Sequence, residues 1–357
     1  MKTYIYFLCI SFLKSFVNIF LIMLSLVFIL NILKEIEFFS NTDVSVLYPV
    51  YLSLMNTPSQ IFHIFPFIFL ISTQFFFIKL LNNNEINIFK YSGLNNLKII
   101  NILSILSFFL GILIITLFYN LSSNLQKYYL EIKNQYSNDK SYLAVINKNG
   151  LWIKDIVNKN INIINSRGIK DNFLNDTFIT TFNENFEPIR NIKSDKINIT
   201  TNNWLVHDAS VFEENEKKNI ELLEFQSNFN LKRIKSLFSN LSSLSIFQLL
   251  DLRDNYKALN YSIVEVDIQL NKILTYPIYL MLMTIISSII MFNTKRFKSS
   301  TIKIVIGLFF SVIIYYISNF FNVMGNTERI PLFVAIWSPL LILVIINSLM
   351  LIRINEK

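Results

Sequence analysis

Six glycines, two histidines and one cysteine are the scarce reactive or loop-forming residues of this 357-residue chain, and their spacing supports none of the commoner enzyme chemistries. A phosphate loop needs a glycine and, five positions on, a Gly-Lys pair, so that successive backbone amides wrap the phosphate. The glycines stand at 93, 111, 150, 168, 307 and 325, too far apart for that loop, a dinucleotide fingerprint or a nucleophile elbow. His63 and His207 fall in different parts of the chain, so neither has a second histidine for a metal site or triad. His63, shortly before Pro66, reads as a polar residue at the outer end of a helix, and His207, in WLVHDAS, as a solvent-facing neighbour of Asp208. Cys9 lies alone in an apolar run, which excludes a disulfide framework or a cysteine metal site. No catalytic residue, metal or cofactor is expected.

Charges at the edges of apolar runs are the remaining candidates, because ionisable groups at membrane depth are costly and mark function. Lys34, Glu35 and Glu37 close the first such run. Two readings stay open for them: a polar rim whose long side chains snorkel to water, or a lysine that meets an anionic headgroup at the mouth of a cavity between helices. The second candidate is the polar break Leu80–Lys98, LLNNNEINIFKYSGLNNLK. Asn82 followed by Glu85 resembles a capped helix start, and Gly93 supplies a left-handed stop. The helix between them has about two turns and places Ile86 and Phe89 on one face. It would lie on the membrane surface with that face inward, positioned to receive a push from a cytosolic partner.

The elements that position these residues are membrane spans. Hydrophobic residues make up 53% of the chain and its mean hydropathy is +0.45, too apolar for a soluble domain. Tyr4–Leu33, Ile61–Leu81, Ile99–Tyr119, Ile273–Phe292, Ile302–Val323 and Pro331–Ile352 can each cross ~30 Å of hydrocarbon. The first is too long for a secretory signal and lacks a small-residue cleavage site, so it reads as a retained helix. Lys2, Lys14, Lys79, Lys90, Lys98, Lys295, Arg296, Lys298, Lys303, Arg353 and Lys357 all fall on one side of a six-span arrangement. That side should be the cytoplasm, with both termini inside and residues 121–270 outside. Between 121 and 270 about eighteen basic residues balance about eighteen acidic ones, so the net charge of +8 belongs to the membrane-flanking loops. The basic balance therefore reports topology and not nucleic-acid binding.

The outer segment reads as short strands separated by polar turns: 141–146, 150–156, 160–164, 176–182, 189–200, 203–212 and 219–226. About seven strands at such intervals suggest a small sandwich or open barrel. Leu151, Ile153 and Ile156 do not alternate cleanly, and a helical stretch over 243–261 leads back to the fourth span. The expected organisation is three spans with a surface helix over 1–120, an all-β insert with a connecting helix over 121–270, and three spans over 271–357.

That order, together with several segments, resembles the LptF/LptG (YjgP/YjgQ) family of lipopolysaccharide export permeases. TPSQIFHIFP and NEINIFKYSG, with Pro58, Pro66, Glu85 and Gly93, are similar to the family's second span and following cytosolic helix. NGLWIKD (149–155), KSDKINITTNNWLVHDASVF (193–212), LNKILTYPIYLMLM (270–283) and GLFFSVIIYYISNFFNVMGNTERIPLFVAIWSP (307–339) continue the likeness over nearly the whole chain. NGLWIKD resembles the LptG branch. The chain departs from the family in Phe75, Phe76 and Phe77, where relatives often have small residues, and in Ser40 and Asn41, where a basic pair is expected.

The resemblance implies a helical membrane protein with six transmembrane helices and a periplasmic jellyroll-like insert. It implies a non-catalytic half-permease of an ABC exporter in the bacterial inner membrane, paired with a second LptF/LptG-type permease and worked by an LptB ATPase dimer. Glu85, Ile86, Phe89, Tyr91 and Gly93 would couple to that ATPase. Lys34 and Glu37 would meet lipopolysaccharide, and Phe28, Tyr315 and Phe320 would line a lateral gate. The insert would join a bridge through LptC toward the outer membrane. The alternative is a mechanotransmitting or membrane-anchored periplasmic adaptor that moves no lipid.

Overall fold

The computed structural model describes residues 3–40, 44–45, 47–136, 151–170, 172–213, 216–231, 234, 240–258, 261–292 and 299–355. The strand expected over 141–146 lies outside them, as do Lys2, Asn149, Gly150, Lys295, Arg296, Lys298 and Lys357. The chain gathers into two compact units, Met1–Tyr129 with Val264–Lys357, and Leu130–Ile263.

In chain order the helices are α1 (Thr3–Phe38), α2 (Leu47–Asn82), α3 (Glu85–Tyr91), α4 (Asn96–Leu113), a π-helical turn (Ile114–Tyr119) and α5 (Asn120–Tyr136). Strands β1 (Leu151–Val157), β2 (Asn160–Lys170), β3 (Phe173–Phe182), β4 (Pro188–Asn198), β5 (Asn203–Glu213) and β6 (Glu216–Gln226) follow. Then come α6 (Ile246–Ala258), α7 (Val264–Phe292), α8 (Ser300–Asn326) and α9 (Leu332–Asn355).

Among the described residues six helical rods are long and apolar enough to cross a membrane: Thr3–Phe38, Leu47–Asn82, Asn96–Lys133, Val264–Phe292, Ser300–Asn326 and Leu332–Ile352. In hydrocarbon the backbone must satisfy its own polar groups, which makes helices of these runs. Two of them form the centre. The apolar windows of α2 and α7 are 72% and 67% buried, against 17% for both α1 and α8.

Lipid offers no hydrophobic drive between helices, so close packing and polar contacts join them. Asn31 Nδ2 of α1 donates to Thr57 Oγ1 of α2 at 3.1 Å, and Ser287 Oγ of α7 to the Leu70 carbonyl of α2 at 2.8 Å. Thr284 Oγ1 of α7 meets Ser107 Oγ of α4 at 2.8 Å, and Asn347 Nδ2 of α9 donates to the Leu282 carbonyl of α7 at 3.1 Å. At the start of α8, Gln74 Nε2 donates to the Lys303 carbonyl at 2.9 Å while Lys303 Nζ donates to the Met291 carbonyl at 3.0 Å. Gly111 lets α4 come so near α7 that an added Cβ would lie 2.7 Å from Pro277 Cα.

The π-helical turn keeps the third span in phase. Gly111 and Tyr119 both face inward, Gly111 on Pro277 and Tyr119 with its ring 5.0 Å from Phe62. Eight residues separate them, about 80° past two turns of a regular helix. One extra residue in a wide turn absorbs about 100°, which brings both onto one face.

The second unit carries one antiparallel meander in the order β1-β2-β3-β4-β5-β6. It provides the all-β insert, and six of the expected strands fall on β1–β6. Among the described residues the six strands form one sheet, as an open barrel would, rather than the two sheets of a sandwich. Its inward residues include Leu151, Ile153, Ile164, Leu174, Ile179, Ile192, Ile197, Trp204 and Val206, each at most 1% exposed.

Alternation changes phase along one row that crosses the strands. Leu174 is inward before Asp176 and Thr177 after it; Ser194 before Asp195 and Ile197 after it; Val206 before Asp208 and Ala209 after it. Asp176 and Asp208 have φ of 46° and 48°, the left-handed region that a short polar side chain tolerates. Pairing is interrupted at this row in every ladder from β2 to β6. Inward hydroxyls beside it take up freed carbonyls: Ser166 Oγ donates to Asn175 at 2.8 Å and Ser194 Oγ to His207 at 2.6 Å. Such a row kinks each strand at one level.

In β1 the third inward position is Asp155, fully buried, while Ile156 is 42% exposed. Its carboxylate accepts from Ser227 Oγ at 2.7 Å, Asn228 N at 3.1 Å and Asn228 Nδ2 at 2.9 Å. Those three donors explain why an acid occupies an apolar row. Trp204 Nε1 donates to the Phe229 carbonyl at 2.7 Å, holding the segment after β6 to the sheet.

Candidate functional site

Prolines in α2 and α7 open the first candidate, a bay between α2, α7, α8 and α9. A proline lacks the N–H that would bond the carbonyl four residues earlier. Pro66 therefore frees the Phe62 carbonyl, and the Tyr276 hydroxyl of α7 donates to it. The two rings stack 4.6 Å apart with an interplanar angle of 18°. Beside this pair lies a cavity of about 770 Å³. Its polar lining includes His63, Lys272, Tyr279, Ser311, Tyr315, Tyr316, Asn319 and Asn322; its apolar lining includes Phe67, Met283, Ile336 and Leu340. The side-chain oxygen of Asn322 is buried without a hydrogen-bond partner among the described residues. A greasy wall with a cationic and amide rim suits an amphiphile: hydrocarbon on one side, a polar or anionic head on the other.

The second candidate is α3. Its start falls at Glu85 rather than at the expected Asn82, which ends α2; Asn83 and Asn84 make the turn, with Asn84 at φ 56°. The Glu85 carboxylate accepts from Asn83 Nδ2 at 3.0 Å, so it caps a side chain and not the backbone of residue 82. At the other end Gly93 has φ 79° and Leu94 N donates to the Phe89 carbonyl at 2.9 Å, the six-to-one closure of a glycine-stopped helix. Ile86 is 5% exposed and the Phe89 ring lies 6.0 Å from that of Phe7 on α1, whereas Ile88 and Tyr91 are 59% and 92% exposed. One face of α3 thus grips the spans and the other is bare.

A model of the family described as lipopolysaccharide export system permease LptF/LptG matches residues 7–353. The chain belongs to this family. A comparison with curated proteins finds no match. As a permease of the family it is a multi-pass inner-membrane protein and a transport subunit rather than an enzyme.

The structure places the permease's sequence-derived site residues in three groups. Glu85, Ile86, Phe89, Tyr91 and Gly93 lie together on α3 and its stop. Tyr315 lines the bay; Phe320, on the same helix, is 57% exposed. Lys34 and Glu37 are exposed near the end of α1, Phe28 is half-buried on that helix, and none of these three lines the bay. His63, read from the sequence as a simple helix-end polar residue, belongs to the bay, and His207 sits in β5 with its ring 6.3 Å from Phe173.

Lys272, Tyr276 and Asn322 are the permease residues that sequence reasoning missed. A signal existed for one of them. Phe62 stands four residues before Pro66, so a freed carbonyl needed a donor, and Tyr276 is a donor beside another helix-breaking proline, Pro277. Nothing in a single sequence pairs 62 with 276.

Proposed function

We propose that the chain is one half of the membrane part of an ABC exporter, extracting lipopolysaccharide from the inner membrane and passing it to a periplasmic bridge. A second LptF/LptG-type permease completes the membrane part, an LptB ATPase dimer drives it, and LptC continues the bridge. Both termini are cytoplasmic in this reading. The observation that carries it is the family match over 7–353.

Three features support the finer parts. The bare side of α3, with Glu85 at its start and Tyr91 outward, gives a cytosolic ATPase something to hold, and the buried side passes movement to α1 and α2. The low burial of α1 and α8 suits faces that a partner permease covers or that part to admit lipid, with Phe28, Tyr315 and Phe320 on them. Lys34 and Glu37 would meet the polar head at the gate, while the bay shelters part of the hydrocarbon. Each buried CH₂ is worth about 0.8 kcal/mol, so drawing a lipid with several acyl chains out of a bilayer needs nucleotide energy supplied from outside this chain.

The deciding experiment is co-isolation from inner membranes, followed by photocrosslinking from position 28 or 315. Recovery of a second six-span chain and an ATPase, with ATP-dependent capture of lipopolysaccharide, is the expected result. An assembly that hydrolyses ATP yet captures no lipid at either position would overturn export in favour of mechanotransmission.

A further inference from the structure

Lys14 and Lys79 raise a problem that neither the bay nor α3 solves. Lys14 sits eleven residues after the start of α1, inside its apolar run, and Lys79 stands three residues before the end of α2. Both are exposed. The two helices run side by side in opposite directions, with Phe12 and Phe76 meeting at 6.0 Å. Their cationic side chains therefore converge on one groove of about 460 Å³, lined by Ile10, Leu13, Lys14, Val17, Asn18 and Lys79. No carboxylate is among those residues, and neither ammonium has a hydrogen bond or ion pair among the described residues.

Two like charges sharing one groove repel, and each costs free energy at membrane depth unless an anion meets it. The groove supplies more than charge. Asn18 adds an amide donor, and Ile10, Leu13 and Val17 make an apolar wall along α1 on which an acyl chain can lie. Basic pockets between spans are the places where anionic headgroups settle.

We propose that this groove binds the phosphate of an anionic membrane phospholipid, taken from the leaflet at the α3 end of the spans. The phosphate bridges Lys14 and Lys79, Asn18 donates to it, and one acyl chain runs along α1. The site is separate from the bay and does not depend on what the permease exports.

Its position gives the lipid a mechanical role. Lys79 lies in the last turn of α2, and the Lys79 carbonyl accepts from Asn83 N at 3.1 Å in the turn that leads into α3. Below the groove, Phe7 of α1 carries Phe89 of α3. A phosphate joining Lys14 to Lys79 therefore fastens α1 to the root of α3, so that both move as one piece.

The test uses the full-length chain purified in detergent and titrated with phosphatidylglycerol or phosphatidylcholine, bound lipid being counted by native mass spectrometry. Wild type should retain phosphatidylglycerol in preference to phosphatidylcholine. Lys14→Met with Lys79→Met should lower that retention by about tenfold or more, since one charged hydrogen bond alone is worth about that factor, and the pair Lys14→Arg with Lys79→Arg should restore it. Both positions are exposed, so the substitutions leave the core intact. Equal retention of phosphatidylglycerol by wild type and the double methionine variant would overturn the proposal, as would equal retention of the two lipids by wild type. Displacement of the lipid by an excess of inorganic phosphate would assign the groove to a free anion and overturn its lipid occupant.

Discussion

The Tyr129 hydroxyl donates to Glu35 Oε1 at 2.8 Å, tying the far end of the third span to the last turn of α1. Glu35 is 1% exposed, while Lys34 and Glu37 on either side of it are open. The middle acid of what reads as a polar rim is thus a buried link between helices. Tyr129→Phe should destabilise the purified chain by about 1–3 kcal/mol, since a buried carboxyl oxygen loses its hydrogen-bond donor. Glu37→Gln should change it by no more than about 0.5 kcal/mol. Thermal unfolding in detergent checks both, and equal melting of the two variants would contradict the link.

Gly111 and Gly168 make a matched pair. An added Cβ at Gly111 meets backbone and ring atoms of Pro277 at 2.7 and 3.0 Å, and neither can swing away; at Gly168 it meets nothing within 4 Å. Gly111→Ala should force α4 from α7 and cost about 1–3 kcal/mol. Gly168→Ala should be neutral or stabilising by up to about 1 kcal/mol, because glycine in a strand loses more chain entropy. A melting comparison with wild type decides it.

The two faces of α3 should separate anchoring from docking. Ile86→Ala removes a buried side chain and should cost about 2 kcal/mol or more of stability. Tyr91→Ala should leave the melting curve where it is and reduce the amount of ATPase that co-purifies. Full ATPase recovery with Tyr91→Ala would move the docking surface elsewhere, and Glu85→Lys then becomes the discriminating variant.

The second unit should weaken in alkali through Tyr261. Burial above all, and the Asp155 carboxylate after it, raise this phenol above its ordinary value of 10.0, against the lowering effect of the Lys154 N–H that donates to it at 3.1 Å. Raising the folded-state value favours the neutral phenol. The stabilisation is complete below the unfolded value and disappears as pH rises through the folded one. Melting followed by Trp204 fluorescence, with Trp152 and Trp337 replaced by phenylalanine, should fall less steeply between about pH 9 and 11 in Tyr261→Phe.

Span number, strand positions and the α3 stop were legible because each is local. Long apolar runs have to become helices in hydrocarbon, and Gly93 marks a stop because it stands in a polar stretch. Interior assignments were less legible for reasons that particular residues show. Ile156 looks more buried than Asp155 by hydrophobicity, and only Ser227 and Asn228, over seventy positions away, reverse the order. Asn82 looks like a cap because Glu85 follows it, yet α2 runs through it. The bay needs Phe62, Lys272, Tyr315 and Leu340 from four helices at once, and no periodicity within one helix carries that juxtaposition. The family resemblance reached the transport role where spacing alone stopped at a membrane protein without catalytic residues.

The aspartate row across the sheet sets a rule for how this gene can drift. Asp176, Asp195 and Asp208 stand level with one another, and a residue gained or lost within β3, β4 or β5 would leave one end of that strand showing its oily side to water. Length changes can therefore accumulate at the hairpin tip around Glu184–Glu187 but not inside these strands. Homologues from distant hosts should differ in how long their tips are while keeping the count from Asp176 to Phe182 and from Asp208 to Glu213 unaltered.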